Sequence, residues 1–185
     1  VAFVNKMDRT GANFDNAVQE MRKKLGAYAF PVTIPIGKED HFDGVIDIVN
    51  QKAFVYDPND EFGVRYTITE IPAEYKEQAE FALAELIDAV SNKDDEVASL
   101  VIEDQPITPV ILKKAIRRLT CKIELVPVLC GSAFKKRGVQ PLVDAVIDYL
   151  PSPLDIPAAT GQDPDNDNAT VEVASNDNGK FCALA

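Results

Sequence analysis

Residues 1–8 read VAFVNKMD, an apolar run followed directly by the polar pattern N-K-x-D. The run predicts a buried strand, and the polar residues then lie at its carboxyl end, the edge where open α/β sheets hold their ligands. The Asp8 carboxylate at this edge can accept hydrogen bonds from both N1–H and the exocyclic amine of guanine. Adenine lacks this pair of donors, so the pattern predicts a guanine reader.

The neighbours of Asp8 have supporting roles in this hypothesis. We expect the Asn5 amide to link neighbouring loops and to donate to ring acceptors, and the aliphatic part of Lys6 to lie over the base. Met7 is expected to point into the core. The motif is short, and the alternative interpretation is a polar strand-to-helix turn that binds nothing.

A second segment far along the chain complements the first. Residues 123–129 form another apolar run, which predicts a buried strand, and Gly131, Ser132 and Ala133 follow it. Backbone N–H groups in such a turn can donate to guanine O6, and small residues allow the close approach. We expect the Ser132 hydroxyl to bond to Asp8 and order it.

Composition limits the class of protein. The 185 residues suffice for one domain, or for one domain and part of another. A net charge of −11 argues against direct nucleic-acid binding and favours a protein partner. The absence of a leader and of a membrane-spanning run indicates a cytoplasmic protein that does not contact membranes. The spacing of Cys121, Cys130 and Cys182 predicts reduced, buried thiols and no metal site.

Between the two segments, the pattern predicts one helix, a small sheet and then further helices. Phe14, Val18, Met21 and Leu25 share one helix face, with Asn13 as the cap and Gly26 as the end. Four short segments predict an antiparallel sheet with one solvated face: residues 30–36, 45–49, 53–56 and 64–69. Helices are expected at residues 72–90, at residues 94–103 and after Thr108.

The last of these helices has an outward basic face, made by Lys113, Lys114, Arg117 and Arg118. Such a face is more typical of a solvated surface than of a binding site. A further helix is expected over residues 140–150, with Leu142, Val146 and Tyr149 inside. Residues 160–168, rich in Asp and Asn, predict a mobile linker. Residues 180–185 are typical of the beginning of a strand.

Residues 5–14, 131–135 and 138–140 closely resemble the fourth and fifth guanine-binding motifs of the bacterial elongation factor G family. The resemblance continues through residues 144–153 and reaches residues 181–185, which resemble the first strand of that family's second domain. Between Asp8 and Ser132 lie 123 residues, whereas ordinary GTPases have a few tens. The excess matches a subdomain that this family inserts into its G domain.

The resemblance implies an α/β fold: the carboxyl-terminal part of a P-loop GTPase (G) domain with an inserted α+β subdomain, followed by the first strand of a β-barrel domain. Residues 1–26 and 123–158 would be parts of the G domain. Residues 27–122 would be the insert, a small antiparallel sheet plus helices. Residues 159–185 would be a linker and the start of domain II.

The resemblance also implies a function. Proteins of this family bind and hydrolyse GTP to drive tRNA and mRNA movement on the ribosome. The matched residues would read the guanine of GTP or GDP, with the Ser132–Ala133 turn closing on O6; they are Asn5, Lys6, Asp8, Ser132 and Ala133. The insert would contact the acidic stalk protein of the large ribosomal subunit. Helix 72–90 is the preferred candidate for that contact, and the basic face of the later helix is the second.

Several alternatives stay open. They are a specialised second copy of the factor, a tetracycline-protection GTPase, a release-factor-recycling GTPase, or a protein-binding module alone. The 185 residues contain no G-x-x-x-x-G-K-[ST] sequence, so we expect this piece to be inactive and to hold neither the phosphates nor Mg²⁺. Residues 60–63 imitate a D-x-x-G switch sequence but follow the base motif instead of preceding it. We therefore expect no catalytic residue here.

Overall fold

The structure is a computed structural model that describes residues 1–60, 62–163, 166–176, 178–179 and 181. Its strands are β1 (Ala2–Val4), β2 (Ala29–Pro31), β3 (Thr33–Ile36), β4 (Gly44–Asp47), β5 (Lys52–Tyr56), β6 (Tyr66–Thr69), β7 (Val126–Cys130), β8 (Ala159–Asp163) and β9 (Asn166–Val173). Its α-helices are α1 (Phe14–Leu25), α2 (Lys76–Ser91), α3 (Asp95–Ile102), α4 (Pro109–Cys121) and α5 (Val139–Tyr149), with short 3-10 helices at Glu39–His41 and Ala73–Tyr75.

A parallel sheet brings a strand at residues 2–4 next to a strand at residues 126–130. The described strands have the order β1-β7-β2, with β7 in the centre. In this register Ala2 is opposite Val128, and Ala29 is opposite Val126. β7 is apolar throughout and almost completely buried, as a central parallel strand must be. The sheet therefore places the carboxyl ends of β1 and β7 side by side.

The predicted strand over residues 30–36 is in fact two strands in two different sheets. β2 pairs with β7 in the parallel sheet, whereas β3 pairs with β4 in an antiparallel sheet. Only Val32 lies between them, and its N–H still donates to the Val128 carbonyl at 2.9 Å. Residues 29–31, which the sequence analysis assigned to the insert, are thus hydrogen-bonded within the parallel sheet.

The antiparallel sheet that the sequence predicts is present, with the order β3-β4-β5-β6. Strand β4 is mostly buried and β5 is partly buried. Ile46 in β4 and the flanking residues Phe42 and Ile48 are completely inaccessible to solvent. The edge strand β6 differs from the expectation of one solvated face. All four of its residues are exposed, and among the described strands β6 pairs only with β5.

Helix ends follow the sequence signals closely. The Asn13 side chain accepts from the N–H of Asn16 at the start of α1, and Gly26 ends that helix with φ 62°. Asp94 and Thr108 cap α3 and α4 in the same way. Pro72 precedes a 3-10 turn, and α2 begins only at Lys76.

The basic face of α4 is largely occupied by contacts within the protein. Arg118 donates to both carboxylate oxygens of Asp94 at 2.8 Å, and also to Glu96. Lys113 pairs with Asp148 at 2.8 Å. Arg117 donates to the backbone carbonyls of Ile147 and Asp148. These residues hold α4 against α3 and α5 and are poorly placed for a partner.

Three smaller expectations are wrong. The strand predicted from residue 123 begins at Val126, because Ile123 has a φ of 62° and is 87% exposed. Two residues predicted to face the core are exposed instead, Val146 of α5 at 45% and Leu25 of α1 at 75%. Cys121 is exposed at the end of α4, whereas Cys130 is buried as expected. Cys182 lies outside the described residues.

Residues 151–185 make a second compact unit. The linker expected over residues 160–168 is replaced by an antiparallel pair, β8 and β9, in which Ala159 is opposite Val173. Backbone hydrogen bonds of the ladder outweigh the turn-like composition, and β9 ends in the alternating sequence Thr170-Val171-Glu172-Val173. The strand predicted over residues 180–185 lies outside the described residues except for Phe181.

Among the described helices, none combines the length and the apolar character needed to cross a bilayer.

Asp94 provides a test of the packing between α3 and α4. Arg118 lowers the pKa of this carboxyl below its ordinary value of 3.8, against the opposing effect of burial. The resulting stabilisation is complete above the ordinary pKa and is lost as the pH falls through the lowered one. Asp94→Ala also removes the cap of α3, and we expect it to cost about 2 kcal/mol at neutral pH.

Asp94→Asn is the matched control, since it keeps the capping acceptor and removes the charge. We expect Asp94→Asn to cost about 1 kcal/mol and to abolish the contribution of Asp94 to acid sensitivity. Urea unfolding at neutral pH and near pH 3 measures both effects. Equal losses for the two variants would contradict the separate roles of cap and ion pair.

Candidate nucleotide-base site

The ladder between β1 and β7 continues past the ends of both strands. The Gly131 N–H donates to the Val4 carbonyl at 3.1 Å, and the Met7 N–H donates to the Gly131 carbonyl at 3.1 Å. Met7 is 3% exposed and anchors its loop in the core, as expected. The loop of residues 5–12 and the turn of residues 131–138 are therefore held next to each other at the sheet edge.

Asn5 connects the loop to the turn through its side chain. Its Oδ1 accepts from the N–H of Ala133 at 3.0 Å and from the N–H of Lys6 at 2.8 Å. This is the link between loops that the sequence analysis expected of Asn5. Lys6 is exposed with a φ of 64°, a backbone conformation that turns the chain sharply before Met7. The aliphatic part of Lys6 is thus available to a ligand at the edge.

Asp8 is 7% exposed and Ser132 is 1% exposed, and the Ser132 side chain is near enough to Asp8 to affect the pKa of its carboxyl. Burial alone would raise the pKa of Asp8. The Ser132 hydroxyl, the backbone N–H of Asp8 and the nearby charges of Lys135 and Arg9 outweigh it and hold the pKa below its ordinary value. Asp8 therefore presents an ionised, oriented carboxylate, which accepts hydrogen bonds only.

The turn that carries Ser132 is closed on itself and packed tightly. Ser132 and Arg137 exchange backbone hydrogen bonds of 2.9 and 3.0 Å, and the Ser132 hydroxyl accepts from the Lys135 N–H at 3.1 Å. A Cβ on Gly138, which has a φ of 78°, would lie 2.6 Å from the Cys130 carbonyl oxygen. The turn needs glycine there, both for its conformation and for its close packing.

The insert contacts both base loops, which the sequence analysis did not foresee. The Gly11 N–H donates to the Glu39 carboxylate at 2.7 Å, and the buried Arg137 donates to the Phe42 carbonyl. Gln140 accepts from the Tyr56 hydroxyl at 2.8 Å and donates to the Gly63 carbonyl at 2.7 Å. The partners in these bonds are 28 to 95 residues apart, so no local pattern could have indicated them.

The chemistry of the site suits a purine with two adjacent donors and one acceptor. The Asp8 carboxylate can accept from both donors of such a purine. The Ser132 N–H is already bonded within its turn and the Ala133 N–H to Asn5, so a ligand oxygen would share these amides. Within the described residues no group of three or more metal-binding side chains forms. The arrangement of acceptor and amides thus fits a purine base.

Comparison with known protein families supports this interpretation. Residues 1–152 match the family model described as "Elongation factor Tu GTP binding domain". The chain belongs to this family. As its description says, the family is that of a GTP-binding domain found in an elongation factor. The mixed α/β architecture, with one parallel and two antiparallel sheets in the described residues, is consistent with a GTPase domain that carries an insert.

A crystal structure of a protein from Thermus thermophilus has the same fold. It superimposes with a TM-score of 0.70 at 24% sequence identity, over 85% of this chain. The chain spans 23% of the length of that protein. At this level of identity the likeness concerns the fold alone.

Ser132→Ala tests the link between the turn and Asp8. Removing the hydroxyl takes away an interaction that favours the ionised carboxylate and leaves the burial, so we expect the pKa of Asp8 to rise. Titration of the carboxyl carbon by NMR measures the shift. Ser91→Ala is the control, since the Ser91 hydroxyl donates to the Asp88 carbonyl outside the site. An unchanged Asp8 pKa in Ser132→Ala would show that the two side chains are not coupled.

Proposed function

We propose that this chain is part of a ribosomal translocation GTPase of the elongation factor G type, which hydrolyses GTP to move tRNA and mRNA. The observation that carries the proposal is the pairing of two base-reading loops across one parallel ladder, with 123 residues between Asp8 and Ser132. Ordinary GTPases have no insert of that size between these motifs. Family membership supports the GTPase class, and the insert favours this type within it.

In this proposal the five matched residues divide the recognition of guanine. Asp8 accepts from N1–H and from the exocyclic amine, and the N–H groups of Ser132 and Ala133 lie nearest to O6. Asn5 holds the two loops together, and Lys6 covers one face of the base. The bidentate carboxylate contact supplies selectivity against adenine, because a buried Asp8 would be left partly unpaired by it.

The proposal divides the chain as the resemblance does, into G-domain parts at residues 1–26 and 123–158, an insert between them, and a segment from residue 159 that leads into domain II. Hydrolysis needs a P-loop and Mg²⁺, and the 185 residues contain no P-loop sequence. By themselves they should be inactive. The proposed setting is the cytoplasm, on the ribosome, without direct nucleic-acid contact by this acidic piece.

Asp8→Asn tests the assignment in the natural polypeptide that contains these residues and a P-loop. An amide donates where the carboxylate accepted, so the preference should move from GTP to xanthosine triphosphate. We expect GTP affinity to fall by about 100-fold, since two charge-assisted bonds are lost. Competitive binding of the two nucleotides measures the change. Asp15→Asn, an equal charge change outside the site, is the control. An unchanged GTP preference in Asp8→Asn would rule out the assignment.

We further propose that the insert docks the acidic stalk protein of the large ribosomal subunit through α2. What supports this helix is Phe81, which is 69% exposed beside a groove of about 340 Å³ between α1 and α2. The alternative, the basic face of α4, is weakened by its internal ion pairs. Since α2 itself carries several acidic residues, the contact would be mainly apolar.

Phe81→Ala tests the docking of the stalk protein. We expect at least a tenfold loss of affinity for the labelled stalk domain, since exposed aromatic anchors contribute most of the energy at such contacts. Ile102→Ala is the matched control, because Ile102 is 84% exposed at the end of α3, away from the groove. Fluorescence titration measures both affinities. Equal affinities for the two variants, or no binding of the unmodified protein at high micromolar concentration, would count against this surface.

A further inference from the structure

One turn of the insert reaches both halves of the base site. It runs from Gly37 to Asp43 and includes the short 3-10 helix Glu39–His41. Glu39 contacts the loop that follows Asp8, and the Phe42 carbonyl contacts the turn that follows Ser132. We call residues 37–43 the bracket turn.

The contact of the bracket turn with the first loop is made by a side chain in an unusual backbone position. Glu39 has a φ of 54°, which is uncommon for a residue with a Cβ. In this conformation its carboxylate accepts from the Gly11 N–H at 2.7 Å. Gly11 is three residues after Asp8 and also has a positive φ, of 80°. The loop therefore has a fixed point immediately after the base-reading carboxylate.

The contact with the second loop is made by a buried cation. Arg137 is 9% exposed, and its Nη1 donates to the Phe42 carbonyl and lies 3.5 Å from the Asp43 carboxylate. The backbone of Arg137 exchanges two hydrogen bonds with Ser132. A displacement of the bracket turn would thus be transmitted directly to the residue that orders Asp8.

The bracket turn is closely packed and closed by hydrogen bonds. A Cβ on Gly37 would lie 1.7 Å from the His41 carbonyl oxygen, so the turn closes without free space. The Phe42 N–H donates to the Glu39 backbone carbonyl at 3.0 Å, and the Asp43 N–H donates to the Ile36 carbonyl at 2.9 Å. Tyr75, which lies outside the bracket turn, accepts from the Gly37 N–H through its hydroxyl at 3.0 Å. The distance between its two contacts is therefore set by the fold of the insert.

We propose that Glu39 is a positioning residue for guanine recognition, and that the bracket turn sets the separation of the two base loops. This inference rests on the proposed function, since it assigns the insert a role in the same site. Glu39 touches no base; it acts through Gly11 on the loop that carries Asp8. The insert is then a structural part of the nucleotide site as well as a surface for a partner.

The first test needs no nucleotide. In the labelled 185-residue chain, amide exchange at Gly11 should be about tenfold faster in Glu39→Ala than in the unmodified protein, because the charge-assisted bond is lost. Glu39→Gln is the matched control, since its amide oxygen keeps the acceptor and should restore most of the protection. Tyr75→Phe should speed exchange at Gly37 and, less strongly, at Gly11. An unchanged rate at Gly11 in Glu39→Ala would overturn the proposal.

The second test measures base selectivity in the natural polypeptide. Inosine diphosphate lacks the exocyclic amine and so loses one of the two bonds to Asp8. A displaced Asp8 should lower the ratio of the inosine diphosphate Kd to the GDP Kd, by about threefold in Glu39→Ala. A merely destabilising change would leave this ratio unaltered, and that result would contradict positioning. If the unmodified protein binds neither nucleotide, the proposed function fails, and exchange at Gly11 still decides whether Glu39 holds the loop.

Discussion

The parallel ladder between β1 and β7 is the constraint on which the rest of the site depends. It pairs Ala2 with Val128 and continues into the loops through Met7 and Gly131. Without it, Asp8 and Ser132 would have no reason to be near each other, and Ser132 and Lys135 would no longer lower the pKa of Asp8. The side-chain bond from Asn5 to Ala133 extends the same contact beyond the last backbone pair. The residues proposed to recognise the base therefore lie in the loops that directly follow β1 and β7.

Local sequence signals predicted the local structure well. The cap of α1 at Asn13 follows from a side chain that bonds three residues along the chain, and its end at Gly26 follows from the αL conformation that glycine adopts readily. The Asn5 link and the proximity of Ser132 to Asp8 were also foreseeable, because two polar segments after buried strands must meet at one sheet edge. Interactions between residues close together in the chain can thus be predicted from the sequence.

What the sequence could not show depended on contacts between distant segments. The change of sheet at Val32 was hidden, since an apolar run has the same composition in both sheets. Val146 has the spacing of a core residue, yet it lies on the outer side of its helix. The roles of Glu39 and Arg137 arise from turns that meet only in three dimensions. In residues 159–173, backbone pairing overrode a composition typical of a linker.

The length of the insert also has a consequence for synthesis of the chain. β1 leaves the ribosome first, and its partner β7 follows only after more than a hundred residues have been added. At typical elongation rates this delay is roughly 6 to 25 seconds, far longer than hairpins and helices need to form. The antiparallel sheet and its helices can therefore fold while β1 still has an unpaired edge. During that interval the newly made strand is open to pairing with another chain, and the base site can assemble only after β7 and its turn have been made.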